Sequence, residues 1–146
     1  MQKVITHVGL DVHAERIVIA SLVGQARELI VSDIANDEKV IRRTFQRLAR
    51  ESFELRCCYE AGPCGFEVHR QLTAMGIACE VVAPSLIPVR VGDRVKTDRR
   101  DATKLARLFR AGELTTITVP TAEQEAVRGR GGHAPPIARA RRTCAA

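Results

Sequence analysis

Three β-branched runs crowd the first 35 residues, and the connections between them are too short to carry a crossover. Residues 4–10 (VITHVGL) read as a strand ending at Asp11, residues 15–23 (ERIVIASLV) as a second, and residues 26–34 as a weaker third interrupted by Arg27 and Glu28. A parallel neighbour needs a dozen or more connecting residues, whereas these two short connections permit antiparallel hairpins among the three strands. The hydrophobic period then changes. Asn36 reads as an N-cap with Asp37 and Glu38 in the first turn. Val40, Ile41, Thr44, Phe45 and Leu48 share one side, while Arg42, Arg43, Arg47 and Arg50 fall outside it. That pattern predicts an amphipathic helix of about four turns.

The alternation continues. Leu55 to Tyr59 is a short strand that delivers Glu60, and Gly62-Pro63 turns the chain into a helix reaching about Met75, where Gly76 stops it. Ile77 to Val82 is a fifth strand. Residues 84–96 read as an irregular loop, and Thr97 caps a helix from Asp98 to about Arg110. The order β-β-β-α-β-α-β-α predicts an α/β fold. Its sheet is mixed and five-stranded, three antiparallel strands followed by two parallel ones, with helices flanking it.

At 146 residues the chain holds one domain with one real core. No run approaches the ~18 apolar residues of a membrane span and no secretory leader precedes the first strand, so a cytoplasmic protein is expected. Five cysteines (Cys57, Cys58, Cys64, Cys79 and Cys144) form no C-x-x-C pair, and free, reduced thiols are expected. From Gly129 to Ala146, fourteen of eighteen residues are Gly, Ala, Pro or Arg. Such a segment cannot build a packed element. The expected organisation is therefore a folded domain over 1–118 and a disordered or frameshifted tail over 119–146. A longer natural continuation would have been lost after about Val127.

Charge is distributed unevenly. Residues 1–89 carry 10 basic and 11 acidic side chains, whereas residues 90–110 carry eight basic and three acidic ones. The basic stretch suits a polyanion, because neutralising phosphates releases counterions. Arg94, Lys96, Arg99, Arg100, Lys104 and Arg107 are the candidate nucleic-acid contacts; the competing reading is a solvated helix face. With four Phe, one Tyr and no Trp, a base-stacking platform for single strands is not expected, and backbone contact with a duplex or structured nucleic acid fits better.

Four carboxylates carry the chemical signal. Asp11 and Glu60 each follow an apolar strand, and an unpartnered charge at such a position is costly to bury. If those strands are neighbours, both acids emerge at one edge. Projected at about 100° per residue, Asp98 and Asp101 fall among Ala102, Leu105, Leu108 and Phe109. Arg99, Arg100, Thr103, Lys104, Arg107 and Arg110 fill the opposite arc. Complementing the helix dipole explains acids in a first turn, though not acids on the core face. Four such groups in one place repel unless a cation neutralises them, and two Mg²⁺ ions about 3.5–4 Å apart can clamp an in-line phosphoryl displacement. No Walker loop, G-x-S-x-G or H-E-x-x-H competes.

VGLDVH around Asp11, YEAGPCG around Glu60 and VKTDRRDATKLARLFRAGEL around Asp98 and Asp101 resemble the amino-terminal domain of the DEDD transposases of the bacterial one-ten insertion-sequence class, relatives of the Piv-type invertases. The resemblance covers roughly residues 4–127. It implies a RuvC-like, ribonuclease-H-type fold with Asp11, Glu60, Asp98 and Asp101 as catalytic and Mg²⁺-binding residues, and Mn²⁺ as a substitute ion. It further implies metal-dependent DNA cleavage and transfer in transposition or site-specific recombination. DNA is then the partner, joined in several members by a structured guide-type RNA, with homo-oligomers in the full-length proteins. Members also carry a carboxy-terminal domain with a catalytic serine. Ser21, Ser32, Ser52 and Ser85 match no such motif. The alternatives are a stand-alone RuvC-like nuclease with the same acids, or a non-catalytic nucleic-acid-binding remnant.

Overall fold

The computed structural model describes residues 4–83, 98–121, 123 and 124, without the side chains of 98–100. β1 (Ile5–Val12), β2 (Arg16–Val23) and β3 (Ile30–Ala35) are followed by α1 (Glu38–Glu51), β4 (Glu54–Glu60) and α2 (Glu67–Ala74). β5 (Ala78–Val82), α3 (Asp98–Arg110) and β6 (Thr116–Ile117) complete the order. The sheet runs β3-β2-β1-β4-β5-β6. The β1–β2 and β2–β3 pairs are antiparallel, and the β1–β4 and β4–β5 pairs are parallel. This mixed, helix-flanked sheet is the ribonuclease-H-like arrangement expected from the hairpin-then-crossover order. The expected loop over 84–96, the Thr97 cap and the tail over 129–146 lie outside the described residues.

Three local readings are corrected. The sheet has six strands among the described residues, since Thr116–Ile117 pairs antiparallel with β5. Two residues show no period, so composition could not announce this strand. Helix α1 is capped by Asp37, whose Oδ2 accepts from the amides of Lys39 (3.0 Å) and Val40 (3.1 Å). Asn36 instead donates its side-chain amide to the His13 carbonyl at 2.7 Å, tying the helix start to the β1–β2 turn. Helix α2 begins at Glu67, because residues 62–65 form a turn closed by Gly65 N–H donating to the Gly62 carbonyl.

The sheet is buried on both faces. On one, Val8, Leu10, Ile17, Ile19, Cys57, Tyr59 and Val81 pack with Ile41 and Phe45 of α1 and Leu72 of α2. On the other, Val18, Ala20 and Leu22 meet Ala102 and Ala106 of α3, while Cys58 and Val82 meet Leu105. Double coverage explains why the first two strands read as unbroken apolar runs rather than as alternation.

Helix α3 lies almost directly on the β1 backbone. A Cβ at Gly9 would overlap the Ala102 carbonyl oxygen and stand 2.5 Å from the Ala106 nitrogen. The approach is possible because Gly9 has no side chain and because the helix offers alanines there. Two residues earlier on the same strand face, His7 meets Phe109 edge-on, with ring centroids 5.5 Å apart. Helix and strand therefore run antiparallel: the last turn of α3 covers the start of β1, and its first turn lies toward Asp11.

Two outcomes follow from this contact. Gly9→Ala should destabilise the protein by about 3 kcal/mol, at the upper end of overpacking costs because the obstructing atoms are backbone. A urea melt of the variant checks it, and parent-like stability would mean that α3 does not sit on this strand. The second outcome concerns pH. Burial holds the His7 imidazole below its ordinary value of 6.5, and Arg56 and Arg110 push the same way. The unfolded state thus takes up the proton first, so stability contributed by neutral His7 is present above pH 6.5 and is lost as pH falls below it. Melts between about pH 7.5 and 5.5 should show this decline in the parent and a shallower one in His7→Gln.

Candidate metal and nucleic-acid site

The carboxyl ends of β1 and β4 bring two of the four predicted acids together. These strands are parallel neighbours with Gly9 opposite Cys58 and Leu10 opposite Tyr59, and the next step of the register sets Asp11 beside Glu60. Neighbouring strands lie about 4.8 Å apart. Side chains alternate, so Asp11 shares the face of His7 and Gly9, and Glu60 shares the face of Cys58. That is the α3 face for both. Along with His13, Gly62, Pro63 and Cys64, the two acids line a cleft of about 520 Å³, a volume within the usual range for ligand sites.

The cleft is held by local structure on either side. His13, in the β1–β2 turn, places Nε2 2.9 Å from Asp11 Oδ2; the His13 side chain is 44% exposed and that of Asp11 is 17% exposed. Sequence analysis did not single out His13, although a histidine two residues past a strand-end acid was the available signal. Below the other wall, the buried Tyr59 hydroxyl donates to the Gly65 carbonyl (3.1 Å) and accepts from the His69 amide (3.3 Å). Burial pushes the phenol pKa far up, so the hydroxyl keeps its proton as a donor. It thereby fixes the Gly62–Gly65 turn against β4. The Ala61 amide continues the sheet by donating to the Val82 carbonyl at 2.8 Å.

The remaining acids come from α3. Leu105 packs with Cys58 and Val82, and Val82 is the register partner of Glu60. Asp101 stands one turn before Leu105 on the same helix side, hence on the Glu60 side of the helix, and is half-buried. Asp98 begins the helix, and its side chain lies outside the described ones. Among the described residues, no three His, Cys, Asp or Glu side chains gather closely enough to hold a metal ion. The structure thus brings Asp11 and Glu60 together and sets the first turn of α3 toward them, while Asp101 does not complete a cluster of three.

The basic candidates divide. Arg94 and Lys96 lie outside the described residues, as do the side chains of Arg99 and Arg100. Lys104 is half-buried. Arg107 is exposed and donates to the Arg27 carbonyl at 3.2 Å. Arg110 donates to the carbonyls of Gly24 and Ala26, so both arginines clasp the β2–β3 connection. That structural role was illegible, because the acceptors are main-chain oxygens some eighty residues distant. Among the described cysteines, Cys57, Cys58 and Cys79 are buried free thiols, with burial pushing Cys79 up to about 12. Cys64 lies in the cleft wall with Sγ 3.7 Å from the Val12 carbonyl oxygen, and Cys144 lies outside the described residues.

Tyr59→Phe should cost about 1–3 kcal/mol, because the buried Gly65 carbonyl and His69 amide lose their partner. It should also loosen the cleft wall. Amide exchange over residues 62–66 measures both, and unchanged protection would show that the turn holds without the hydroxyl.

Comparisons with known proteins agree with this geometry. The family profile of the IS110-type DEDD transposases, described as a transposase, matches residues 8–140. The transposase for insertion sequence element IS1533 of Leptospira borgpetersenii is 41% identical over 124 residues, covering 84% of this chain and 36% of that protein. A Sinorhizobium fredii protein named as a candidate transposase, y4qE, is 52% identical over 88 residues, covering 60% of this chain and 23% of its own length. The chain thus spans about a third or less of these relatives. With Asp11 and Glu60 paired at the ends of adjoining parallel strands and the profile running through nearly the whole chain, the protein belongs to the IS110-type DEDD transposase family.

Proposed function

We propose that the Asp11–Glu60 cleft is the metal-binding half of a DNA strand-cleavage and strand-transfer centre acting in transposition, with Mg²⁺ as the ion. The observation that carries this reading is the register pairing of two carboxylates on one sheet face at the mouth of a cleft. At an effective dielectric of about 20, two unit charges ~5 Å apart repel by about 3 kcal/mol. A cation between them removes that cost, and hard carboxylate oxygens are the donors Mg²⁺ prefers. The donor set therefore fits the ion.

Asp11 and Glu60 would hold Mg²⁺, with Asp98 and Asp101 supplying further oxygens from the first turn of α3. When bound, the ion lowers the pKa of an attacking water or hydroxyl and stabilises the leaving oxygen of a phosphodiester. His13 orients the Asp11 carboxylate through Oδ2. Tyr59 keeps the Gly62–Gly65 wall in place, so the scissile backbone meets a preformed site. Arg99, Arg100 and Lys104, on the arc of α3 opposite its acids, would neutralise flanking phosphates.

Metal binding is testable apart from catalysis. Mg²⁺ at a hundred times its dissociation constant should stabilise the parent by about 2.7 kcal/mol, and should stabilise Asp11→Asn and Glu60→Gln far less. Without metal, Asp101→Asn should be more stable than the parent, since one of several like charges is gone. Melts with and without Mg²⁺ at fixed ionic strength read both effects. If Mg²⁺ shifts parent and variants equally, the cleft is not the metal site. Mg²⁺-dependent nicking of plasmid DNA, lost in Asp11→Asn, would support the catalytic step; cleavage of branched DNA alone would favour a resolvase-type nuclease.

A further inference from the structure

Helix α1 carries a second cationic surface, on the sheet face away from the cleft. Ile41, Thr44 and Phe45 are its buried positions. Projected at about 100° per residue, Lys39, Arg43, Arg47 and Arg50 lie opposite them, and all four are exposed. At 1.5 Å per residue the ridge is about 16 Å long. Ordinary solvated helices intersperse acids at i,i+4 spacing. Here that pairing occurs once among the described residues, between Glu38 and Arg42, beside the ridge rather than on it. Glu51, four residues after Arg47, stands at the edge of the ridge near its end, where a single acid faces four cations.

The orientation of α1 relates this ridge to the cleft. The Asn36 side chain donates to the His13 carbonyl, so the helix starts at the cleft end of β1. Ser52, just past its end, lies 3.0 Å from the Thr6 hydroxyl near the beginning of β1. The ridge therefore starts beside the cleft end of the sheet and runs down its opposite face. A duplex strand presents a phosphate about every 3.4 Å of axis, so the ridge matches about five successive phosphates.

We infer that Lys39, Arg43, Arg47 and Arg50 form a second nucleic-acid contact, which binds the phosphate backbone of a duplex segment flanking the one in the cleft. The inference rests on the nucleic-acid reading of the site and adds to it a surface that the cleft cannot supply. Contacts to phosphate oxygens are electrostatic and carry no base-sequence information.

The test is fluorescence anisotropy of the 146-residue chain with a 24-base-pair DNA duplex of arbitrary sequence, between about 50 and 300 mM KCl. The variant K39Q/R43Q/R47Q/R50Q should reduce the magnitude of the slope of log affinity against log salt by about 3.6, and weaken binding at about 100 mM salt at least tenfold. The charge-preserving R43K/R47K/R50K should keep the parent's slope, which separates lost charge from lost folding. An unchanged slope in the glutamine variant overturns the ridge while leaving the cleft reading intact; a parent without salt-dependent binding overturns both. Competition by poly-glutamate as strong as by unlabelled duplex, at equal charge, would assign the ridge to an acidic protein and overturn the proposal.

Discussion

The bare backbone of Gly9 under α3 is the contact on which the rest of this architecture depends. Removing one side chain lets the helix settle onto β1 with Ala102 and Ala106 facing the strand. The His7–Phe109 contact then fixes its direction, and Arg107 and Arg110 fasten its far end to the β2–β3 connection. Because the helix runs antiparallel to β1, its acidic first turn has one place to go. It lies at the carboxyl end of the sheet, where Asp11 and Glu60 already stand side by side. Packing and chemistry are therefore set by the same contact: a bulkier residue at position 9 would lift the helix and withdraw its acids together.

Much of this was legible in the sequence, for identifiable reasons. Short connections forced the first three strands into hairpins, and the change to helical periodicity at Asn36 marked the crossovers. Asp11 and Glu60 were readable because charges at the ends of apolar strands are rare, and their register needed only that β1 and β4 be neighbours. The core-face placement of Asp101 was expected from helical projection; the residue is half-buried, as is Lys104 on the opposite arc. Other features depend on tertiary partners that leave no local mark. Asp37 takes the cap because Asn36 is drawn to the His13 carbonyl. The role of Arg107 is fixed by a main-chain oxygen in a distant turn. Gly9, inside a run of β-branched residues, could have been flagged as a site of close backbone approach, but nothing in the strand says which helix approaches it.

The sheet separates two electrostatic tasks. Its α3 face sets Asp11 and Glu60 side by side at one end, where the function proposed above places a cation. Its other face carries α1, whose cations need no ion to meet phosphates. On those two proposals a nucleic acid would be attracted along α1 and would need a cation to approach the paired carboxylates.

The central claim is that α3 delivers its first turn to the Asp11–Glu60 pair, so that one ion is shared by strand ends and helix. Paramagnetic Mn²⁺ titrated into isotope-labelled protein tests this directly through the distance-dependent broadening of amide signals. The account predicts that broadening begins at Asp11, Glu60, Asp98 and Asp101 together and spares His7 and Phe109 at the opposite end of the same contact. Broadening confined to Asp11 and Glu60, with the first turn of α3 untouched, would contradict it.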